Sequence, residues 1–273
     1  MRKLFTILFL GTIFLSCSRD EEPILDETTN PLITNIKIDL NKSGNWINTN
    51  EIDFYFEYDH QEKLVKKIGG FVPISSSSGF NGAFSKNVFT TLVYSNQNVL
   101  VENFSSSAEF SVLKETKNYS LNSQNQILTK EIPSAHHFLN KKLNFTYADN
   151  KLVEIVTTFP NMPYDPNDPN DYIWTYIEKF YYDSKDNLIK TEFFNQNNGT
   201  NVGEKITRTF ENYDSSINPT KKFFLLDEYF YRSLSKNNFR KYTEKRYNYD
   251  ELVSTSEIIW GFNYDSNGNM IVN

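Results

Sequence analysis

Apolar and polar residues alternate between Ile177 and Phe194, which places Phe180, Tyr182 and Ser184 on one side of an extended chain and Lys179, Tyr181 and Asp183 on the other. A polar run, Asp-Ser-Lys-Asp-Asn at 183–187, breaks the alternation, and Leu188 to Phe194 resumes it. Asp and Asn suit such a break because their side chains bond to nearby backbone and tolerate left-handed geometry. The stretch predicts a β-hairpin with a loop of four or five residues.

The same grammar of aromatic residues, polar turn and aliphatic restart returns at 56–68, 92–104, 119–132, 145–156 and 262–273. Its aromatic anchors are Tyr58, Tyr94, Tyr147, Tyr182, Tyr213, Tyr249 and Tyr264, mostly about 30 residues apart, which argues for a repeat architecture. Near the start, Ile36, Ile38 and Leu40, then Ile52, Phe54, Phe56 and Tyr58, alternate with polar neighbours, the mark of an antiparallel sheet with one wet face. Phe239–Tyr249 and Leu252–Tyr264 predict a further long hairpin with Trp260 and Phe262 on one face.

Four stretches depart from this pattern. Phe223, Leu226, Phe230 and Leu234 recur at helical spacing, after Pro219 and before Asn237-Asn238. They predict one helix over about 220–234 covering the sheet, with an aromatic-rich strand at 223–231 as the alternative. Ser75 to Gly79 predicts a flexible loop, and Gly69-Gly70 a turn. Pro160 to Pro169 predicts a rigid, extended loop. The expected fold is therefore all-β: an antiparallel meander of hairpins forming a curled single sheet or open barrel, with one short helix. Hydrophobic residues make up only 38% of the chain and aromatics 16%, which favours a thin, aromatic-faced sheet over a thick two-layer core.

The N-terminus changes the picture from fold to destination. Arg2 and Lys3 precede an apolar run from Leu4 to Leu15, then Ser16 and the chain's single cysteine, Cys17. The run is too short for an ordinary membrane span and predicts a signal peptide over 1–16. A lone Cys at that place resembles a lipobox, although Phe14 and Leu15 depart from the favoured residues. Cys17 is the expected lipid anchor, the alternative being a secreted protein with a stray thiol. Several acyl chains on one residue hold a protein in a bilayer effectively permanently. Residues 17–32 then form a flexible acidic tether, and 33–273 the β-repeat domain.

Ser18-Arg19-Asp20-Glu21-Glu22 is similar to the acidic export signal of Bacteroidota lipoproteins, which implies an outer-membrane protein facing the cell exterior; a periplasm-facing position is the alternative. Tyr-Asp, a polar turn and Gly-Asn before an aliphatic residue, best seen from Tyr264 to Met270, resembles the YD repeat of rearrangement-hotspot and teneurin proteins. Asn218-Pro219, Ser235 to Asn238 and Tyr247 to Asp250 look more specifically like Bacteroidota lipoproteins. Tyr94 and Tyr147 lack the following Asp. The resemblance covers about 33–273 and implies an antiparallel β-scaffold with no established activity.

Candidate chemistry is thin. His60, His136 and His137 include an adjacent pair that would point to opposite sides if extended, so no shared ion is expected. No nucleophile elbow, zinc-protease helix or phosphate-binding loop occurs, and an acylated Cys17 leaves no thiol nucleophile. Asp165 to Asp171 offers oxygen ligands of the kind calcium takes, but its two prolines and missing glycine favour a turn cluster. Tyr172, Trp174 and Tyr176 fall on one side of a strand, where cross-strand packing is favoured over an exposed ladder for sugar rings or a protein partner.

Net charge is −6, and −8 once Arg2 and Lys3 leave with the signal peptide. There is no basic stripe to suggest nucleic acid. These features predict a non-catalytic scaffold, without cofactor or metal, held on the membrane by N-terminal acyl chains. A glycan or an outer-membrane protein is its expected partner. A polysaccharide-acting enzyme and a purely structural envelope component are the alternatives.

Overall fold

The computed structural model describes residues 32–40, 46–47, 52–76, 79–106, 112 and 114–272. The signal segment, Cys17 and the acidic tether lie outside them. The strands run β1 (Asn35–Ile36), β2 (Trp46–Ile47), β3 (Phe54–Tyr58), β4 (Leu64–Ser76), β5 (Gly79–Ser95) and β6 (Asn98–Ser105). They continue as β7 (Thr116–Leu121), β8 (Ile127–Ile132), β9 (Lys141–Ala148), β10 (Lys151–Thr158), β11 (Trp174–Tyr182) and β12 (Leu188–Asn197). The last are β13 (Thr200–Tyr213), β14 (Phe239–Asn248), β15 (Glu251–Ile259), β16 (Asn263–Tyr264) and β17 (Met270–Ile271).

From β3 to β15 each strand pairs antiparallel with the next, in chain order, so one sheet is built entirely from sequence neighbours. β1 extends it beside β3, β2 adds a short parallel pair on β5, and β16–β17 form a separate hairpin. β1 and β15 stand at opposite ends of the order and do not pair with each other, which leaves the sheet open.

Two kinds of tight corner recur among the described hairpins. At Asp59, Asn122, Asp183 and Asp265 the side-chain Oδ1 accepts from the backbone N–H two and four residues on. The residue three positions on (Glu62, Asn125, Asp186 or Gly268) takes a positive φ. An Asx side chain thus replaces missing backbone partners in each five-residue corner. Tyr182 pairs with Leu188 across one of them. The tighter corners place Asp149-Asn150, Asn198-Gly199 and Tyr249-Asp250 at positive φ, the requirement of a two-residue hairpin turn. Tyr249 is therefore a turn residue, 75% exposed, and not an inward anchor like Tyr182.

The predicted helix over 220–234 is corrected to three short pieces: 3₁₀ turns at Pro219–Phe223 and Asp227–Tyr229, then α1 (Phe230–Ser233). Asn218 breaks it at the start. Buried, it donates to the carbonyls of Arg232 and Ser235 at 2.6 and 2.9 Å while its Oδ1 accepts from the Thr220 N–H at 2.9 Å. This folds the segment into a compact knot rather than a rod.

The knot fills the hollow side of the sheet. Phe223 stacks on Phe56 of β3, Tyr119 of β7 donates to Leu225, Phe230 meets Phe145 of β9 and Phe180 of β11, and Tyr231 meets Phe210 of β13. In a flat sheet β3 and β13 would stand about 50 Å apart. A segment this short reaches both only because the sheet curls around it, so 219–234 is a plug on the concave face.

Two further expectations change. Ser75, Ser76 and Gly79 are paired strand residues at the tip of the β4–β5 hairpin rather than a flexible loop, and residues 77–78 lie outside the description. Gly69-Gly70 is no turn but a bulge inside β4, with Gly69 at φ +103°. A Cβ on Gly69 would come within 2.6 Å of the Phe84 ring, so a side chain there would force that ring to shift as well as straining the backbone.

Candidate functional site

Residues directly opposite one another in adjacent strands share a face. The register therefore fixes the concave face strand by strand. One row runs Tyr119, Lys130, Leu143, Thr157, Tyr176, Asn195 across β7 to β12. A second runs Ile155, Glu178, Phe193, Ile206, Arg246, and a third Phe180, Thr191, Arg208, Glu244. Charged residues thus stand in what is otherwise the apolar phase of the strands.

They converge on the plug. Lys130 Nζ lies 2.5 Å from Asp227 Oδ1, Lys117 Nζ 3.0 Å from Asp227 Oδ2, and Lys67 pairs with Glu228. Asp227 is closely surrounded by protein yet keeps 47% of its side-chain surface open to solvent. Burial alone would raise its carboxyl, but Lys130 and Lys117 outweigh that and hold it below the usual range.

On the other wall Arg208 bridges two carboxylates, Glu178 at 2.9 Å and Glu244 at 3.1 Å. The Tyr231 hydroxyl donates to Glu178, and the Tyr242 hydroxyl to Glu244 at 2.7 Å. Burial, then the Glu178 charge, keeps the Tyr231 phenol well above its ordinary value. Arg246 adds contacts to Glu244 at 3.0 Å and Glu204 at 3.1 Å.

Open space remains between plug and wall. A cavity of about 410 Å³ lies along Arg208, Phe210, Tyr231, Tyr242 and Trp260. A second of about 290 Å³ lies beside Lys130, Phe145 and Glu178, and a third of about 190 Å³ beside Lys67, Val101 and Lys117. Asp227 borders all three, so the plug tip is the centre of the hollow. Mixed aromatic and charged linings of this size suit a small ligand or part of a larger one.

The residues named from sequence fall elsewhere. His136 is extended but His137 is not: a 3₁₀ turn begins at His137, the His136 ring lies 5.7 Å from that of Phe138, and His137 Nδ1 faces the side-chain amides of Asn140 and Asn161. The Asp165–Asp171 loop is organised by its own carboxylates, with Asp165 and Asp168 accepting from the N–H two residues on and Asp171 from Asp165. Among the described residues no group of three or more His, Cys, Asp or Glu side chains is placed to hold a metal ion.

Tyr172, Trp174 and Tyr176 do come together. Trp174 lies 6.0 Å from Tyr172, and Phe159 adjoins both Trp174 and Tyr176. Trp174 nonetheless keeps 36% of its surface exposed. Trp174 and Tyr176 continue the line of Glu178 and Phe180, so they occupy the concave face beyond the plug.

Asp227, Lys117, Lys130, Glu178, Arg208 and Glu244 were not singled out from sequence. A usable signal was present: each of Lys117, Glu178, Arg208 and Glu244 stands two positions from an inward aromatic (Tyr119, Phe180, Phe210 and Tyr242).

No family model and no curated relative matches the chain. Among solved structures the chain is similar to a porin-like protein from Bacteroides uniformis, at 11% identity over 80% of this chain and 79% of that one, with a TM-score of 0.45. It is also similar to a porin-like protein from Bacteroides vulgatus, at 11% identity over 80% and 84% of the two chains, with a TM-score of 0.40.

Proposed function

We propose that this chain is an outer-membrane lipoprotein, anchored through Cys17 and turned to the cell exterior. Its YD-repeat-like β-scaffold binds a ligand in the hollow around the plug tip without transforming it. The observation that carries the binding role is the open space the plug leaves on the concave face: three cavities border Asp227, between lysines on one wall and the Arg208 bridge on the other. The non-catalytic reading is supported by the way the carboxylates are held. Glu178 and Glu244 share Arg208, and Asp227 is bound by two lysines, which leaves these acids tied to fixed partners rather than poised to exchange protons. The anchor is supported by the signal segment and the lone cysteine.

Three measurements on cells test this. Labelled palmitate enters the wild-type protein and not Cys17→Ala, and external protease removes the β-domain from intact cells. A photoreactive residue at position 227 cross-links a cell-surface species, whereas the same residue at the exposed edge position 253 does not. Equal labelling of Cys17→Ala overturns the anchor, and a silent position 227 overturns the ligand seat.

A further inference from the structure

We propose that the concave face of β11 and β12 beyond the plug is a carbohydrate-binding platform. A neutral glycan lies with its ring faces on Trp174 and Tyr176 and its hydroxyls donating to the side chains of Asn195 and Asn197. The inference rests on the reading of the concave face as a ligand seat and names the ligand class.

The register places Trp174 directly opposite Asn197 and Tyr176 directly opposite Asn195, so two rings and two amides form one four-residue patch on the same face. The rings are supported from beside, Tyr176 by Phe193 at 5.3 Å and by Phe159 at 5.5 Å, which fixes them without covering Trp174. Both amides carry a buried Oδ1 with no hydrogen-bond partner among the described residues. Two such oxygens side by side are unusual, since a buried acceptor left unpaired costs about 1–3 kcal/mol. Both residues are only half buried, so a turn of the amide about its last torsion brings the oxygen to the open face.

The chemistry of the patch selects among ligands. An apolar partner, lipid or protein, would cover the rings and leave the amides unpaired. The charge that reaches Tyr176, that of Glu204, is already paired with Arg246 at 3.1 Å, and Arg246 also binds Glu244, so this acid is not free for an ionic ligand. A neutral sugar has what both halves need: an apolar C–H face to lie on an aromatic ring and hydroxyl donors for amide oxygens.

The test is native electrophoresis of the purified protein through gels containing dextran, yeast mannan, xylan or mixed-linkage β-glucan. At least one of the four retards the wild type. In that gel Trp174→Ala weakens retardation about tenfold, Trp174→Phe stays within about threefold of wild type, and the double variant Asn195→Ala/Asn197→Ala loses about fivefold. Val253→Ser on the far edge changes nothing. Trp174 and the amides border solvent, and an unchanged far-UV circular-dichroism spectrum shows that each variant is folded.

Wild-type mobility in all four gels overturns the proposal. So does retardation that survives both Trp174→Ala and the Asn double variant. If the gels are silent while position 227 still cross-links on cells, the scaffold keeps its binding role and this ligand class is wrong.

Discussion

Arg232 of the plug donates from Nε to the carbonyl of Leu40 at 2.9 Å, across 192 positions of chain. The same guanidinium donates to Phe239 at 3.1 Å and lies 4.0 Å from the Phe239 ring centre and 4.2 Å from that of Trp260. Trp260 in turn donates to Asp39 at 2.8 Å, and the Lys37 N–H donates to Val272 at 2.7 Å. The sheet never closes by strand pairing, yet its first and last segments meet at this one buried cation. Burial pulls the guanidinium down, to about 9, while Tyr213, Tyr229, Asp39 and Asp214 act the other way. It is still charged at neutral pH.

Replacing that cation should open the seam. Arg232→Met removes two charge-assisted hydrogen bonds and two ring contacts, and is expected to cost about 3 kcal/mol. Arg232→Lys should recover little of it, because an ammonium cannot lie flat between Phe239 and Trp260. Urea unfolding midpoints of the two variants against wild type measure this.

Asn218 sets the shape of the plug. Its side chain makes four hydrogen bonds, to the carbonyls of Arg232 and Ser235 and from the N–H and hydroxyl of Thr220. Asn218→Ala leaves these groups unpaired in a buried place and should cost about 2–4 kcal/mol. The accompanying change is a loss of tyrosine near-UV dichroism, since Tyr229 and Tyr231 are positioned by this knot.

Two of the four positive-φ glycines among the described residues separate backbone strain from crowding. Gly268→Ala meets open space, and only its φ of +78° resists, for about 1 kcal/mol. Gly69→Ala adds a Cβ 2.6 Å from the Phe84 ring and should cost clearly more, at least about 2 kcal/mol. Thermal midpoints of the two variants should fall in that order.

The surface cluster around Asp53 should resist acid down to a low pH. Asp53 is held at about 2, below its usual 3.8, first by the Lys86 ammonium and then by hydrogen bonds from Tyr55 and Asn35. A carboxyl depressed on folding stabilises the protein above its unfolded value and loses that contribution as pH falls through its folded value. The contribution is thus complete above about pH 4 and lost as pH falls through about 2. Asp53→Asn should remove that part of the pH dependence, read from urea midpoints at pH 6 and pH 2.

Much of this could be read directly from residues. The period-two alternation, the aromatic anchors and the Asx corners set a meander of hairpins, because each hairpin closes over a few residues and uses only local bonds. Asp183 to Asn187 specifies its corner by its own side chains, and four corners repeat the same bonds. The helical spacing of Phe223, Leu226, Phe230 and Leu234 was a weaker guide. Asn218 and the packing of each aromatic against a different strand broke the rod into three pieces.

What the sequence could determine alone was therefore the strand order and the turn chemistry, each encoded within a dozen residues. The hollow was decided only by tertiary structure. Glu178 and Glu244, or Trp174 and Asn197, become one site when the sheet curls and the register sets them face to face. Curl and register belong to the sum of many pairings, and no local pattern contains them.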